Sequence, residues 1–226
     1  MFAVIFEVDP KEAHRDEYFD LARMLKPKLE AIDGFIDIDR FASRRSKARV
    51  LSLSTWRDEK AVIRWRTQAE HRRAQERGRR EIFADYRLRV GEITADTQSP
   101  EGVSVTQRRF DQSEIADAKV ATVTEVTVNA HGLAAGALSA ADLRLDGDAE
   151  GLLDHEVFAS IYHPGKLVLL ASWRDAEAAA KWIPARPAAA AAFRHRRVRI
   201  IRDYGMFDRR EAPQYYPEIS RPPTGA

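Results

Sequence analysis

Residues 34–65 of this 226-residue chain recur at residues 151–182, and that recurrence limits the fold more than any other feature of the sequence. The offset is a constant 117 without a gap, and 11 of the 32 aligned positions are identical. Phe41-Ala42-Ser43 matches Phe158-Ala159-Ser160, and Trp56-Arg57-Asp58 matches Trp173-Arg174-Asp175. Gly34, Asp37, Leu53, Ala61 and Trp65 match Gly151, Asp154, Leu170, Ala178 and Trp182. Self-similarity at a fixed offset is the signature of one supersecondary unit used more than once. The predicted organisation is a first repeat at residues 1–95, a connector at 96–118, a degenerate second repeat at 119–208 and a tail at 209–226.

Each repeat reads as β-α-β-β-α-β. In the first, residues 2–8 form an apolar-rich strand. Asp9-Pro10 with Glu12 reads as a helix start, because an acidic N-cap and proline at the first helical position fit the unpaired N–H groups there. Tyr18, Leu21, Leu25, Leu29 and Ile32 then recur at helical spacing. Gly34 ends that helix, and residues 35–41 and 50–56 are strands joined by the polar Arg44-Arg45-Ser46-Lys47. Asp58 caps a helix to about Trp65, and Thr67 with Glu70 reads as a second capping box. Gly78 is placed as a left-handed helix end. Residues 82–93 form the last strand, with Tyr86, Leu88 and Val90 on one face and Arg87 and Arg89 on the other.

The third strand of each repeat is apolar on one face, through Leu51 and Leu53 or Val168 and Leu170. That face is expected under the helices. The other face carries Val50, Ser52, Ser54 and Trp56, or Leu167, Leu169, Ala171 and Trp173, so the sheet is covered on both sides. The predicted class is therefore α+β, with two β-α-β-β-α-β repeats packed sheet to sheet as a pseudo-dimer and helices outside both.

Composition narrows the chemistry. Lys and Arg number 37 and Asp and Glu 35, a net charge of +2, which argues against a general polyanion binder. No cysteine is present, which excludes a thiolate nucleophile, a Cys-ligated zinc site and an iron–sulfur cluster. No run approaches the roughly 18 apolar residues of a membrane span. The start, Met1-Phe2-Ala3-Val4, has no basic leader, so the expectation is a mature cytoplasmic protein with no membrane partner. The most basic stretch, residues 71–80, interleaves with Glu70, Glu76 and Glu81 and reads as a solvated face rather than a nucleic-acid site. Residues 193–197 read the same way. In the tail, Tyr215 and Tyr216 among Pro213, Pro217, Pro222 and Pro223 are expected to pack on a domain surface or a neighbouring subunit.

Leu53-Ser54-Thr55-Trp56-Arg57-Asp58, Arg64-Trp65-Arg66, Ala69-Glu70-His71-Arg72-Arg73-Ala74-Gln75, Gly78-Arg79 and Phe83-Ala84-Asp85-Tyr86 resemble the antibiotic biosynthesis monooxygenase (ABM) family. The resemblance covers residues 2–93 well and 119–207 more loosely. It implies a ferredoxin-like unit that pairs into an α+β barrel, with a pocket between sheet and helices. It also implies oxidation of a small aromatic or quinol-like partner by molecular oxygen without a cofactor. A base is needed to form the substrate anion, and a dry aromatic pocket to hold it. A homodimer of pseudo-dimers is compatible with this fold, and a non-catalytic ligand-binding or stress-associated barrel is the alternative.

Within that resemblance the candidate catalytic residues are His71, Trp65 and Glu7, and the candidate pocket residues are Phe41, Tyr86 and Arg72. His71 lies near a helix N-terminus, where the helix dipole keeps an imidazole neutral and basic. Glu7 is a carboxylate on an otherwise apolar strand, costly unless paired or exposed. The haem-degrading branch of the family implies an asparagine on the first strand and a histidine ten residues after Trp65. Here those positions hold Glu7 and Gln75, so haem is disfavoured, and no metal motif stands out. The second repeat has Pro184, Pro187 and Ala188–Ala192 where the first has its His/Arg helix, so the chemistry is expected in the first.

Overall fold

The computed structural model describes residues 1–128 and 138–221. Eight antiparallel strands close into a barrel in the order β1-β3-β2-β6-β7-β5-β8-β4. The first half supplies β1 (Phe2–Pro10), α1 (Arg15–Glu30), β2 (Phe35–Ser43), β3 (Val50–Trp56), α2 (Glu59–Thr67), α3 (Ala69–Arg77) and β4 (Phe83–Asp96). The second supplies β5 (Val120–Val128), β6 (Leu152–Ser160), β7 (Lys166–Trp173), α4 (Ala176–Lys181) and β8 (Ala190–Gly205). Each half has the same internal strand order, β4-β1-β3-β2 and β8-β5-β7-β6. The expected helix between β5 and β6 falls partly on residues 129–137, outside the described residues, and a 3₁₀ turn at Ala141–Leu143 follows them.

The recurrent tripeptides meet one another. β2 and β6 pair with Phe41 opposite Ser160, Ala42 opposite Ala159 and Ser43 opposite Phe158. Ala42 thus faces the residue 117 positions further on, as a self-complementary contact demands. At the other seam β4 pairs with β8, and Glu92 faces Arg199 in a 2.7 Å ion pair. These seams join what were expected to be two separate sheets into one closed wall, which leaves no free sheet edge.

The recurrent glycines and aspartates do the same local work in both halves. Gly34 and Gly151 adopt φ of 92° and 79°, and a Cβ there would come within 2.7 and 2.5 Å of Ala61 and Ala178. Asp58 and Asp175 accept hydrogen bonds from the N–H groups of Ala61 and Ala178 at 2.9 and 2.8 Å, capping α2 and α4. Other expected signals resolve differently. Asp9 and Pro10 continue β1, where Asp9 pairs with Arg49, and α1 begins after a 3₁₀ turn. The cap of α3 is Gln68, because the Thr67 hydroxyl turns back to the Ile63 carbonyl. Gly78 is right-handed and starts a π turn that runs to Ile82.

The two faces of β3 and β7 are reversed from the sequence expectation. Leu51, Leu53, Val168 and Leu170 fill the barrel interior with Ile5, Phe41, Phe158 and Ile200. The faces bearing Trp56 and Trp173 lie under the outer cover. Inside the barrel, Arg89 and Arg196 are 1% exposed. Arg89 donates to Glu7 at 2.5 Å and reaches across to the Ser172 hydroxyl at 2.9 Å. Arg196 pairs with Glu125 and reaches the Thr55 hydroxyl at 2.8 Å. Burial alone would raise the Glu125 carboxyl, but Arg196 and Lys166 override it and hold it below the usual range. Part of the basic segment at 193–197 is therefore core rather than a solvated face.

The connector lies along the barrel, with Val103 and Val105 packed on the interior cluster. The buried Glu92 carboxylate accepts the N–H groups of Arg108 and Arg109 at 2.6 and 3.1 Å. Among the described residues, no helix is long and apolar enough to cross a membrane.

Removing one member of a buried ion pair strands the other. Arg89→Ala should therefore lower unfolding free energy by about 3–5 kcal/mol. Coupling Arg89→Met to Glu7→Leu should recover most of that loss in urea titration. A double variant no better than Arg89→Ala would show that the pair is not what the barrel requires.

Candidate active site

The outer faces of the two halves are filled differently. Ser52 and Ser54 stand where the second half has Leu169 and Ala171. Over Leu169 and Ala171 the space is packed by Leu138, Leu143 and Trp182, with Trp182 stacked 5.8 Å from Trp173. Over Ser52 and Ser54 the cover is α1, α2 and α3, which leave a cavity of ≈ 210 Å³. Its walls are mainly apolar and aromatic. Leu21, Leu25 and Leu29 come from α1, Val4 and Phe6 from β1, and Leu88 and Val90 from β4. Tyr18, Trp56, Trp65, Phe83, Tyr86 and Tyr204 add rings to the same space.

A one-residue break positions the polar group in this wall. Gln68 is extended, with ψ of 130°, so α2 stops and α3 starts at a new angle. The Gln68 side chain accepts the N–H of His71 at 2.7 Å. The Trp65 carbonyl, at the C-terminal end of α2, accepts the Gln68 N–H at 3.2 Å and keeps a second lone pair. His71 Nδ1 donates to that carbonyl at 2.9 Å. A carbonyl only accepts, so the Nδ1–H tautomer is fixed and Nε2 keeps its lone pair. The imidazole lies flat on the Trp65 indole, 4.0 Å between centroids and 14° from parallel. Burial pushes the His71 pKa down to about 4, with the Trp65 carbonyl opposing.

Gln75 follows one turn later. Its amide nitrogen is 3.5 Å from His71 Nε2, while its oxygen accepts from the Tyr216 hydroxyl at 3.2 Å and from Gln214 at 3.4 Å. The tail thus closes on the cavity. Tyr215 is exposed, and Pro222 and Pro223 lie outside the described residues. Arg79 anchors the closure. It is buried and donates to the carbonyls of Met206 and Pro217 at 2.7 and 3.1 Å, so it does not belong to a solvated face. The Tyr86 oxygen accepts from Arg209 at 2.7 Å and Arg79 at 3.3 Å, leaving its own proton for another acceptor.

The structure therefore brings His71, Trp65 and Tyr86 together and separates the other three candidates from them. Glu7 points into the barrel, paired with Arg89, and does not reach the cavity. Phe41 is fully buried in the barrel interior, and Arg72 is exposed on α3. Cavity residues that the sequence reading did not single out include Tyr18, Arg40, Arg202, Tyr204 and Arg209. Three of these come from β8 and the tail, which belong to the other half of the chain. The paired tyrosines of the tail were the available signal for them.

The fold and site define an α+β barrel with one aromatic cavity outside the barrel wall, equipped with a neutral histidine and no cysteine. A family model described as antibiotic biosynthesis monooxygenase matches residues 1–77. Jasmonate monooxygenase ABM of Pyricularia oryzae (strain 70-15) is 40% identical over 224 residues, covering 97% of this chain and all of that protein. The chain belongs to the antibiotic biosynthesis monooxygenase family. Among solved structures, an aldoxime dehydratase aligns over 88% of this chain and 80% of its own, at 13% identity and a TM-score of 0.55. A second, in complex with butyraldoxime, aligns over 88% and 79%, at 11% identity and a TM-score of 0.54. Both show the shared fold.

The histidines carry a pH signature. Desolvation holds both His71 and His195 at about 4 in the folded chain, against 6.5 when solvated. Between those values the unfolded chain binds more protons, so stability present above pH 6.5 is lost progressively as pH falls towards 4. His71→Gln should reduce the steepness of that loss by about one proton's worth. Urea melts from pH 7 to 4 measure it, and an unchanged slope in the variant would mean that His71 titrates as a solvated imidazole.

Proposed function

We propose that this chain is a monooxygenase that oxidises a small aromatic or quinol-like molecule with dioxygen and no prosthetic group. The observation that carries this reading is the His71–Trp65 pair: a neutral imidazole, locked in one tautomer, with its Nε2 lone pair beside Gln75 in a largely apolar and aromatic cavity. A phenolic substrate against Trp65 would pass its proton to Nε2. Proton affinity alone would not drive that transfer, given the lowered pKa of His71. In a dry site the imidazolium and the phenolate stabilise each other as a contact pair, and the Tyr86 hydroxyl can donate to the anion. The phenolate is electron-rich enough to give one electron to dioxygen. Recombination of the two radicals forms a carbon–oxygen bond, and loss of water across the peroxide leaves a carbonyl. One oxygen atom enters the substrate and the other leaves as water, and a ring CH₂, or a ring C–H para to the phenol oxygen, supplies all four electrons.

Two further readings bear on the substrate and the origin of the fold. The relative's name makes jasmonate a second candidate substrate, supported by similarity along nearly the whole chain. The equal strand orders and the Ala42–Ala159 register support a duplicated unit fused as its own pseudo-dimer. The known haem-degrading arrangement is disfavoured because Gln75, where it implies a histidine, offers no imidazole.

Oxygen uptake with a panel of hydroquinones, naphthols and jasmonate tests the proposal. His71→Ala should cut kcat by about 10²–10⁴-fold, the usual worth of a positioned base, with little change in melting temperature. Trp65→Phe should have a smaller effect through misplacement of the imidazole. No uptake with any compound, or uptake indifferent to His71→Ala, would sink the reading.

A further inference from the structure

The interior of the barrel and the cavity treat arginine in opposite ways. Arg89, Arg194, Arg196 and Arg199 each have a carboxylate partner. Arg66 and Arg202, which line the cavity beside Tyr204, have none among the described residues. The Arg66 Nε is moreover buried without any hydrogen-bond partner. Arg209 lines the same end, spends one nitrogen on the Tyr86 oxygen and another on the Gln214 carbonyl, and leaves its Nε unpaired. The Arg209 guanidinium lies 5.3 Å from the Tyr204 ring centroid, and Arg66 and Arg202 line the same cavity. The one carboxylate in the cavity lining, Glu59, is engaged by Arg109. Three guanidinium groups in a half-buried apolar site, with no counter-charge, are costly unless an anion completes them.

We infer that the substrate is an amphipathic carboxylic acid, its carboxylate received by Arg66 and Arg202 next to Tyr204 and its apolar body lying along the leucines of α1. Arg209, held by Tyr86 and Gln214, is the positioning residue that ties this end of the cavity to the tail. A planar guanidinium fork matches a carboxylate with two parallel hydrogen bonds, which lysine does not do. This inference rests on the proposed function only in taking the cavity as the substrate site.

The test compares acids with their methyl esters: jasmonate against methyl jasmonate, and 1-hydroxy-2-naphthoate against its ester, by quenching of tryptophan fluorescence. The wild-type chain should bind each acid at least about tenfold more tightly than its ester, as a charge-assisted contact implies. Arg66→Gln with Arg202→Gln should bring acid and ester within about twofold of each other while leaving ester affinity in place. Arg73→Gln, an exposed change on α3, should keep the preference. Equal affinity for acid and ester in the wild type, failure of both acids to bind, or a preference that survives the double substitution overturns the inference. Acid-selective binding without oxygen uptake would remove the monooxygenase reading and leave this one standing. Turnover of neutral quinols without acid selectivity would do the reverse.

Discussion

Two buried guanidinium groups hold the barrel together. Arg89 starts in the first half and ends on Ser172 of the second, while Arg196 starts in the second and ends on Thr55 of the first. Each carries its own carboxylate, so the charge is neutralised locally and the remaining donors reach across. This arrangement costs desolvation, and apolar side chains of equal volume would serve stability as well or better. What it supplies is register. A slip of one residue along a strand would carry each arginine to the outer face and leave Glu7 or Glu125 alone inside. The seam between β4 and β8 acts in the same sense, since the Glu92–Arg199 ion pair forms in one register.

A solid interior decides where chemistry can occur. Phe41, Phe158, Leu51, Leu53 and Leu170 fill the barrel, and the cavity lies between its outer wall and the helices. Two such places exist by symmetry, and side-chain volume at two positions separates their fates. Leu169 and Ala171 give Leu138, Leu143 and Trp182 an apolar floor to close on. Ser52 and Ser54 do not, and α1, α2 and α3 bridge above them. The break at Gln68 then does for the site what a straight helix would not. It leaves the Trp65 carbonyl with the Gln68 N–H on one lone pair, and the imidazole of the following turn takes the other.

Much of the scaffold was legible in the sequence because it is written twice. The offset of 117, the Asp58 and Asp175 caps and the left-handed Gly34 and Gly151 all follow from elementary turn and capping chemistry. One inference of face went wrong, and several errors follow from it. Leu51 and Leu53 look like the side that helices would cover, yet both faces of β3 and β7 are buried, so apolarity carries no information about direction there. Glu7 and Phe41 share the inner face with those leucines, so neither reaches the cavity. Tyr86, His71 and Trp65 were drawn from motif resemblance instead and were unaffected. The arginines of β8 and the tail were illegible for another reason. They meet Trp65 and Tyr86 only through the β4–β8 seam, and no local pattern records a contact between residues more than a hundred positions apart.

That seam makes the cavity a joint product of both halves. The first half supplies the aromatic wall and the imidazole, while the second supplies Arg202, Tyr204 and Arg209. An isolated first repeat would lose the cationic end of the cavity along with the barrel, so neither chemistry nor selectivity can be assigned to residues 1–95 alone. Matching positions of the two halves carry different side chains. Trp182 is a packed filler, where Trp65 carries a stacked histidine. β8 turns Arg202 and Tyr204 towards the first half's cavity, and β4 lines the same space with Leu88 and Val90. The asymmetry between the two outer faces therefore lies in side-chain volume at matching positions, which leaves a cavity over one and packed leucine and tryptophan over the other.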